Sequence, residues 1–281
     1  MSNRKARRTI RLTLINLFFI VICVASMIPI FYAFSVSLNS GNNLLSSRFL
    51  LIPKEFTLSN YSTVLFEKPF FLWLKNSMLL ALFTVIIALV VSVPAAYAFS
   101  RQRFKGRKFL LYILLLLNAF PSILSMFALY RLLRPMGLIN SYAGLILIYT
   151  GTMTIFSLWN MKGYFDTIPE EIEEAGKIDG ANDLQIMAKI VLPLAKPTII
   201  VTAVMVLIFV WNEYIFAINF MTGAEKYTLA AGLYALQATE YTRNWPLFSA
   251  ASLLASIPTL VIFFLIQKQM TSGLTAGGVK G

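Results

Sequence analysis

The sequence predicts an all-α integral membrane protein that crosses the bilayer six times, and three observations predict it. Hydrophobic residues make up 58% of the 281-residue chain and charged residues 13%, where a soluble domain carries about half and about a quarter. Six stretches are long enough, at about 20 apolar residues, to fill a bilayer core as helices. The basic residues lie in short segments between those stretches, which is the distribution of topogenic charge. A mean hydropathy of +0.74 agrees.

The six stretches are residues 12–38, 76–99, 109–130, 136–161, 194–219 and 247–266. The first is uncharged throughout, too long for the apolar core of a cleaved signal peptide, and reads as a retained signal-anchor helix. The third and fourth are parted only by Arg131 to Pro135, which predicts a tight helical hairpin. With the N-terminus in the cytoplasm, sixteen Lys and Arg residues fall inside and eight outside. That bias places both termini in the cytoplasm. Residues 1–11 are then a basic cytoplasmic segment, 12–266 the membrane domain and 267–281 a cytoplasmic tail. The lipid bilayer is the first partner.

Within the spans, Ala88, Ser92 and Ala96, and Ser252 and Ser256 beside Ala251 and Ala255, repeat at four-residue spacing. Such small-residue faces let helices approach closely. Prolines 29, 94, 121 and 258 interrupt spans and predict kinks.

Other chemistry is excluded or unsupported. The net charge of +12 raises nucleic-acid binding, but it forms no continuous basic face, and no nucleic-acid partner is expected. Cys23 stands alone in an apolar run, and the chain has no histidine. That removes disulfides, the usual metal spacings and the commonest general base.

The segment 162–193, between the fourth and fifth spans, differs from the rest. With Asp166, Glu170, Glu171, Glu173, Glu174, Asp179 and Asp183 it holds seven of the twelve acidic residues. Thr167 with Glu170 forms a capping-box pattern, and Pro169 fits a first helical turn. Gly180 ends that helix, Asn182 with Gln185 can cap a second, and Pro193 and Pro197 mark the join to the fifth span. Two short amphipathic helices follow, with small residues Ala175 and Gly176 at the point of closest contact and solvated acidic sides. From the residues alone, such a hairpin either inserts into a groove on a partner or covers the end of the bundle.

The residues Glu174-Ala175-Gly176, Gly180 and Ile190-x-Leu192-Pro193 resemble the E-A-A-x3-G-x9-I-x-L-P motif of bacterial ABC-importer permeases. Gly176 departs from it, since the family usually has alanine there. Ile178-Asp179-Gly180-Ala181 and the stretch 192–197 are similar to the carbohydrate-uptake branch in particular. The resemblance implies the type I ABC-importer permease fold. It implies a coupling role for Glu174, Ala175, Gly176, Asp179, Gly180, Ile190, Leu192 and Pro193, which would dock on a nucleotide-binding subunit. The implied partners are two ATPase subunits, a second, longer permease subunit and an extracellular or periplasmic sugar-binding protein. The last nine residues resemble the tail of the shorter permease subunit of maltose/maltodextrin transporters. That likeness implies that Gly273, Thr275, Gly277 and Gly278 reach the ATPases, and that an external loop at 220–246, with Tyr227, Tyr241 and Trp245, meets the binding protein.

No G-x-x-x-x-G-K-[ST] loop and no nucleophile–base pair occurs in the sequence. The chain is therefore not expected to be an enzyme or to hold a cofactor; ATP and Mg belong to the partner ATPases. Candidates for the translocation path are Trp211, Asn212, Glu213 and Tyr214, with Asn118 and Ser122 beside Pro121. Aromatic faces and amides suit sugars, and an ionisable group within a span is costly. The plainer reading of Glu213 is preferred: an interhelical hydrogen bond or salt bridge at the subunit interface, or simply placement near the outer end of the span. The expected cargo is maltose or maltodextrin, with a raffinose-type or other oligosaccharide as the alternative. A proton-coupled carrier would want internal repeats and several buried carboxylates.

Overall fold

The computed structural model describes residues 2–40, 56–237 and 244–276, with side chains described over 9–40, 56–237 and 244–267. All regular elements among them are helical, in the order α1 (Ser2–Ser37), α2 (Ser59–Ser62), α3 (Phe70–Arg101), α4 (Arg107–Ala119), α5 (Ser122–Leu133), α6 (Tyr142–Phe165), α7 (Glu170–Ile178), α8 (Asp183–Ile186), α9 (Leu192–Asn212), α10 (Ile215–Phe220), α11 (Leu229–Ala235) and α12 (Trp245–Ala276). Five helical stretches are long and apolar enough to cross a membrane, and α4 with α5 make a sixth if that bent pair is one span. The chain divides into two compact units, Met1–Pro69 with Ala235–Ser256, and Phe70–Tyr234 with Ile257–Gly281.

In the first unit, α1 leaves its apolar side chains uncovered by the described chain, Phe18, Val21 and Phe31 among them. Hydrocarbon is the medium that satisfies them. The Asn60 amide on α2 donates to the Ser37 oxygen at the end of α1 and to the Asn39 oxygen just past it, at 2.9 and 2.8 Å. Asn244 opens α12 by accepting from the Leu247 N–H at 3.0 Å.

The second unit is built on α3, α6 and α9. Leu80, Thr84, Ala88, Ser92 and Ala96 are fully buried at four-residue steps along α3. On α6 the buried stripe is Leu145, Tyr149, Met153, Ser157, Met161 and Phe165. Small residues on one helix thus accept large ones on the other, and dispersion across that tight seam replaces the hydrophobic drive that lipid does not supply. The small-residue face expected at Ala88, Ser92 and Ala96 is this seam. Leu80, Tyr149, Val210 and Phe216 centre one core cluster; Tyr97, Phe165, Ile186 and Val191 centre another nearer α7.

At the start of α3, side chains hold the segment that follows α10. Trp73 Nε1 donates to the Ala224 oxygen at 2.7 Å, and Asn76 Nδ2 donates to the Glu225 and Tyr227 oxygens, both at 2.9 Å. Ser77 Oγ accepts from the Leu229 N–H at 2.8 Å.

The structure corrects several expectations. The third span, read as continuous over 109–130, is broken at Pro121, where α4 and α5 meet at 97°. Pro29, Pro94 and Pro258 lie inside helices that continue past them. The fifth span does not run over 194–219. One helical stretch extends from Asp183 to Asn212, with a π turn at Met187–Val191, and α10 resumes after a break at Glu213. The second helix of the hairpin is therefore the start of that span, and neither Pro193 nor Pro197 parts them. The fourth span is shifted to Tyr142–Phe165. Thr167 does not cap α7: its hydroxyl donates back to the Tyr164 oxygen at 2.7 Å, and Pro169 occupies the cap position.

Candidate functional site

The polar hairpin is assembled from local signals. Glu170, Glu171 and Glu173 occupy the first turn of α7 and Lys177 the last, the polarity that suits the helix dipole. Gly180 turns the chain with φ of 83°, a left-handed conformation that costs glycine little. The Ala181 N–H then returns to the Gly176 oxygen at 3.0 Å. Asn182 accepts from the Gln185 N–H at 2.9 Å while Gln185 Oε1 accepts from the Asn182 N–H at 3.1 Å, the reciprocal capping box.

The two faces of α7 have different work. Gly176 is buried, and a Cβ there would lie 2.6 Å from Ile190 Cδ1. The close approach that this glycine permits is thus to the chain's own second arm. Outward, Glu174, Ala175, Asp179 and Gly180 are exposed. Ile178 and Leu184 stand 87% and 71% exposed, large apolar groups held up on a polar hairpin. Ile190 and Leu192 are half-buried and Pro193 exposed.

Glu173 departs from the solvated reading given to the acidic residues; it is 5% exposed. Its Oε1 accepts from Arg101 Nε at 2.6 Å and its Oε2 from the Tyr97 hydroxyl at 2.8 Å. Arg101 Nη2 also donates to the Ile168 oxygen at 2.9 Å and Nη1 to Ser100 Oγ at 3.1 Å. Ser100 Oγ in turn donates to Asp166 Oδ1 at 2.7 Å, and Lys162 Nζ to Asp166 Oδ2 at 2.6 Å. The sequence held two signals for this cluster: Arg101 is the first charge after the second apolar run, and Glu173 shares an i, i+3 stripe with Gly176.

At the far end of α9, Glu213 sits in the break before α10. Its Oε1 accepts from the Phe216 N–H at 2.9 Å, and its Oε2 from the Tyr149 hydroxyl at 2.6 Å and the Ala217 N–H at 3.3 Å. The carboxylate caps α10 and ties it to α6, an interhelical hydrogen bond. Tyr149 had no sequence signal. Tyr149→Phe removes a hydrogen bond to a charged group, and the expected loss is about 1.5–3 kcal/mol. Thermal unfolding in detergent checks it, and Glu213→Gln should lose at least as much, because its NH2 would face a backbone N–H at one of the two oxygen positions. Trp211 is buried, whereas Asn212 is exposed and donates to the Ile208 oxygen at 2.8 Å. Tyr214 stacks on Tyr234 with centroids 4.9 Å apart. Asn118 and Ser122 are exposed on either side of the α4–α5 bend. Gly273 and Thr275 lie in the last turns of α12, outside the described side chains; Gly277, Gly278 and Tyr241 lie outside the described residues.

Together with the likenesses that follow, this all-helical, multi-pass bundle with a polar hairpin rooted in one of its spans is a membrane permease of the type I importer fold. The chain belongs to the family of binding-protein-dependent transport system inner membrane components, whose model matches residues 88–275. It is 38% identical to the galactooligosaccharides transport system permease protein GanQ of Bacillus subtilis (strain 168), over 100% of both chains. It is 35% identical to the maltodextrin transport system permease protein MdxG of the same organism, over 94% of this chain and 95% of that one. Among solved structures, a chain of a bacterial ABC transporter involved in the import of the acidic polysaccharide alginate superposes with a TM-score of 0.76 at 28% identity, covering 91% of this chain and 95% of the other.

Proposed function

We propose that this chain is one of two permease subunits of an ATP-driven sugar importer, and that its α7–α8 hairpin is the cytoplasmic element that ATPase subunits grip. The observation that carries the reading is the outward face of the hairpin. Ile178 and Leu184 protrude from the hairpin, which also exposes Ala175, Glu170, Glu171 and Glu174. An apolar ridge with acidic sides fits an apolar groove with a basic rim on a soluble partner. Family membership supports the same reading, as do the alginate importer and the sugar permeases among the relatives.

The hairpin is well placed to act on the membrane. Its second arm continues without interruption into α9 for 30 residues in all, a rod about 45 Å long that ends at the Glu213 break. Movement of the hairpin would be carried to that break, where Asn212 and Tyr214 are the exposed side chains offered to the translocation path. A second, longer permease subunit completes the path, and an extracellular sugar-binding protein delivers the cargo. Both termini lie in the cytoplasm on the charge bias of the loops, with the tail carrying Gly273, Thr275, Gly277 and Gly278 toward the ATPases.

The cargo is an oligosaccharide. The tail resemblance and the likeness to MdxG favour maltodextrin; the full-length likeness to GanQ favours galactooligosaccharides. Uptake by vesicles holding the whole importer, offered both, decides between them.

Glu174→Lys tests the docking role. The fold should be unaffected, because Glu174 is exposed, while association with the ATPase subunits weakens by about tenfold or more and uptake falls with it. Normal co-purification and normal uptake by this variant would sink the reading.

A further inference from the structure

We infer that Arg101 and Glu173 form a joint that makes the hairpin and α3 move as one body, so that a pull on α7 enters the membrane through α3 as well as through α9. This rests on the proposed reading of the hairpin as the element that ATPase subunits grip. Both residues act as positioning residues.

The backbone alone does not fix α7 to the bundle. It hangs between two non-helical links, Asp166–Pro169 on one side and Asp179–Asn182 on the other. The covalent route to α9 passes through the second link, which turns at Gly180 with φ of 83°. A helix held only by such turns can tilt when loaded. Packing of Gly176 against Ile190 and Ile186 ties α7 to the second arm; what ties it to the bundle on its other side is the last turn of α3. Tyr97, Ser100 and Arg101 share one face at i, i+3 and i+4 spacing, and together they reach Asp166, Ile168 and Glu173. Tyr97 holds Glu173 Oε2 and Ser100 holds Asp166. Arg101 spans the link itself, with Nε on Glu173 Oε1 and Nη2 on the Ile168 oxygen.

The guanidinium plane makes this a clamp and not merely a charge pair. Three of its nitrogens donate in fixed directions to three acceptors, a geometry a lysine ammonium cannot copy. Side chains of the pair are 11% and 7% exposed, so opening the joint would strand a buried charge. Lys177 and Asp183, by contrast, face each other across the hairpin at 3.8 Å with both side chains largely exposed, too solvated a pair to fix the angle.

The test uses the complete importer in proteoliposomes, with ATPase subunits, second permease and sugar-loaded binding protein. The readout is sugar transported per ATP hydrolysed, measured on complexes whose ATPase content has been quantified. Arg101→Lys keeps the charge but loses the fork, and Glu173→Gln keeps the shape but loses the charge. Both should retain the ATPase subunits and lower the ratio by about tenfold. If either variant fails to assemble, Tyr97→Phe, which removes a single hydroxyl, should lower the ratio by a smaller factor in intact complexes. A ratio equal to that of the parent in assembled complexes overturns the inference, even if the variants yield less complex. Glu174→Lys, run in parallel, reports on docking alone: retained ATPase binding there counts against the gripping role, whereas lost binding there with unchanged ratios in the joint variants counts against the joint.

Discussion

Glu173→Ala should cost the folded chain about 3–5 kcal/mol, whereas Glu174→Ala, one residue further on, should stay within about 0.5 kcal/mol. The two glutamates are adjacent in sequence and opposite in circumstance. Glu173 is 5% exposed and ion-paired to Arg101 at 2.6 Å; Glu174 is exposed. Truncating Glu173 leaves the Arg101 guanidinium buried without its counter-charge, and the desolvation already incurred on folding is no longer offset. It also strips the Tyr97 hydroxyl of its acceptor. Removing both charges together, as Arg101→Met with Glu173→Leu, should therefore cost less than removing Glu173 alone, because no charge is stranded. Thermal unfolding of the purified chain in detergent measures all three variants. Equal losses for Glu173→Ala and Glu174→Ala would show that the buried pair contributes nothing.

That contrast also marks how far the sequence could be read. The run Glu170-Glu171-Ile172-Glu173-Glu174 announces a helix with acidic sides, and Asn182 with Gln185 announces the second cap, because both signals are local. Which glutamate turns inward depends on an arginine 72 residues away, on a helix whose direction of approach no local pattern encodes. The same limit applies to the breaks in the spans. An apolar stretch is recognised by counting, and counting treats Pro94 and Pro121 alike. In the structure Pro94 sits among buried Val93, Ala96 and Tyr97, and packing on the α3 face keeps the helix continuous despite the missing N–H. Residues 115–124 are all exposed, nothing in the described chain holds them straight, and the extended conformation that proline favours at Phe120 becomes the 97° bend. Glu213 was visible as an anomaly within a span. Its partner Tyr149 was not, since a tyrosine amid apolar residues has no periodic signature. The apolar stretches, which make five spans or six if the bent pair is one, the small-residue seam and the hairpin were legible because each follows from composition or from spacing.

At the opposite end of α3 from that ion pair, the largest packing effect is expected at Trp73. The indole is 3% exposed and lies against Gly232 so closely that a Cβ there would meet Cδ2 and Cε3 at 2.3 Å. It cannot swing aside freely, because its Nε1 is engaged by the Ala224 oxygen at 2.7 Å, and Asn76 and Ser77 on the same helix end hold the neighbouring segment. Trp73→Ala should accordingly cost about 3–5 kcal/mol through the cavity it leaves. Gly232→Ala should cost about 1–3 kcal/mol by overpacking against a ring that is pinned. The two effects share one space, so they should not add. In the Trp73→Ala background the extra methyl enters the cavity, and Gly232→Ala should become nearly neutral there, a coupling above about 0.5 kcal/mol in a double-mutant cycle. Strict additivity would mean that α11 and the start of α3 do not bear on one another. Coupling of the expected sign would establish that the segment after α10 is set by α3, the helix whose other end is clamped to the hairpin. One helix would then join the segment after α10 to the hairpin, the element proposed to take the pull of the ATPase subunits.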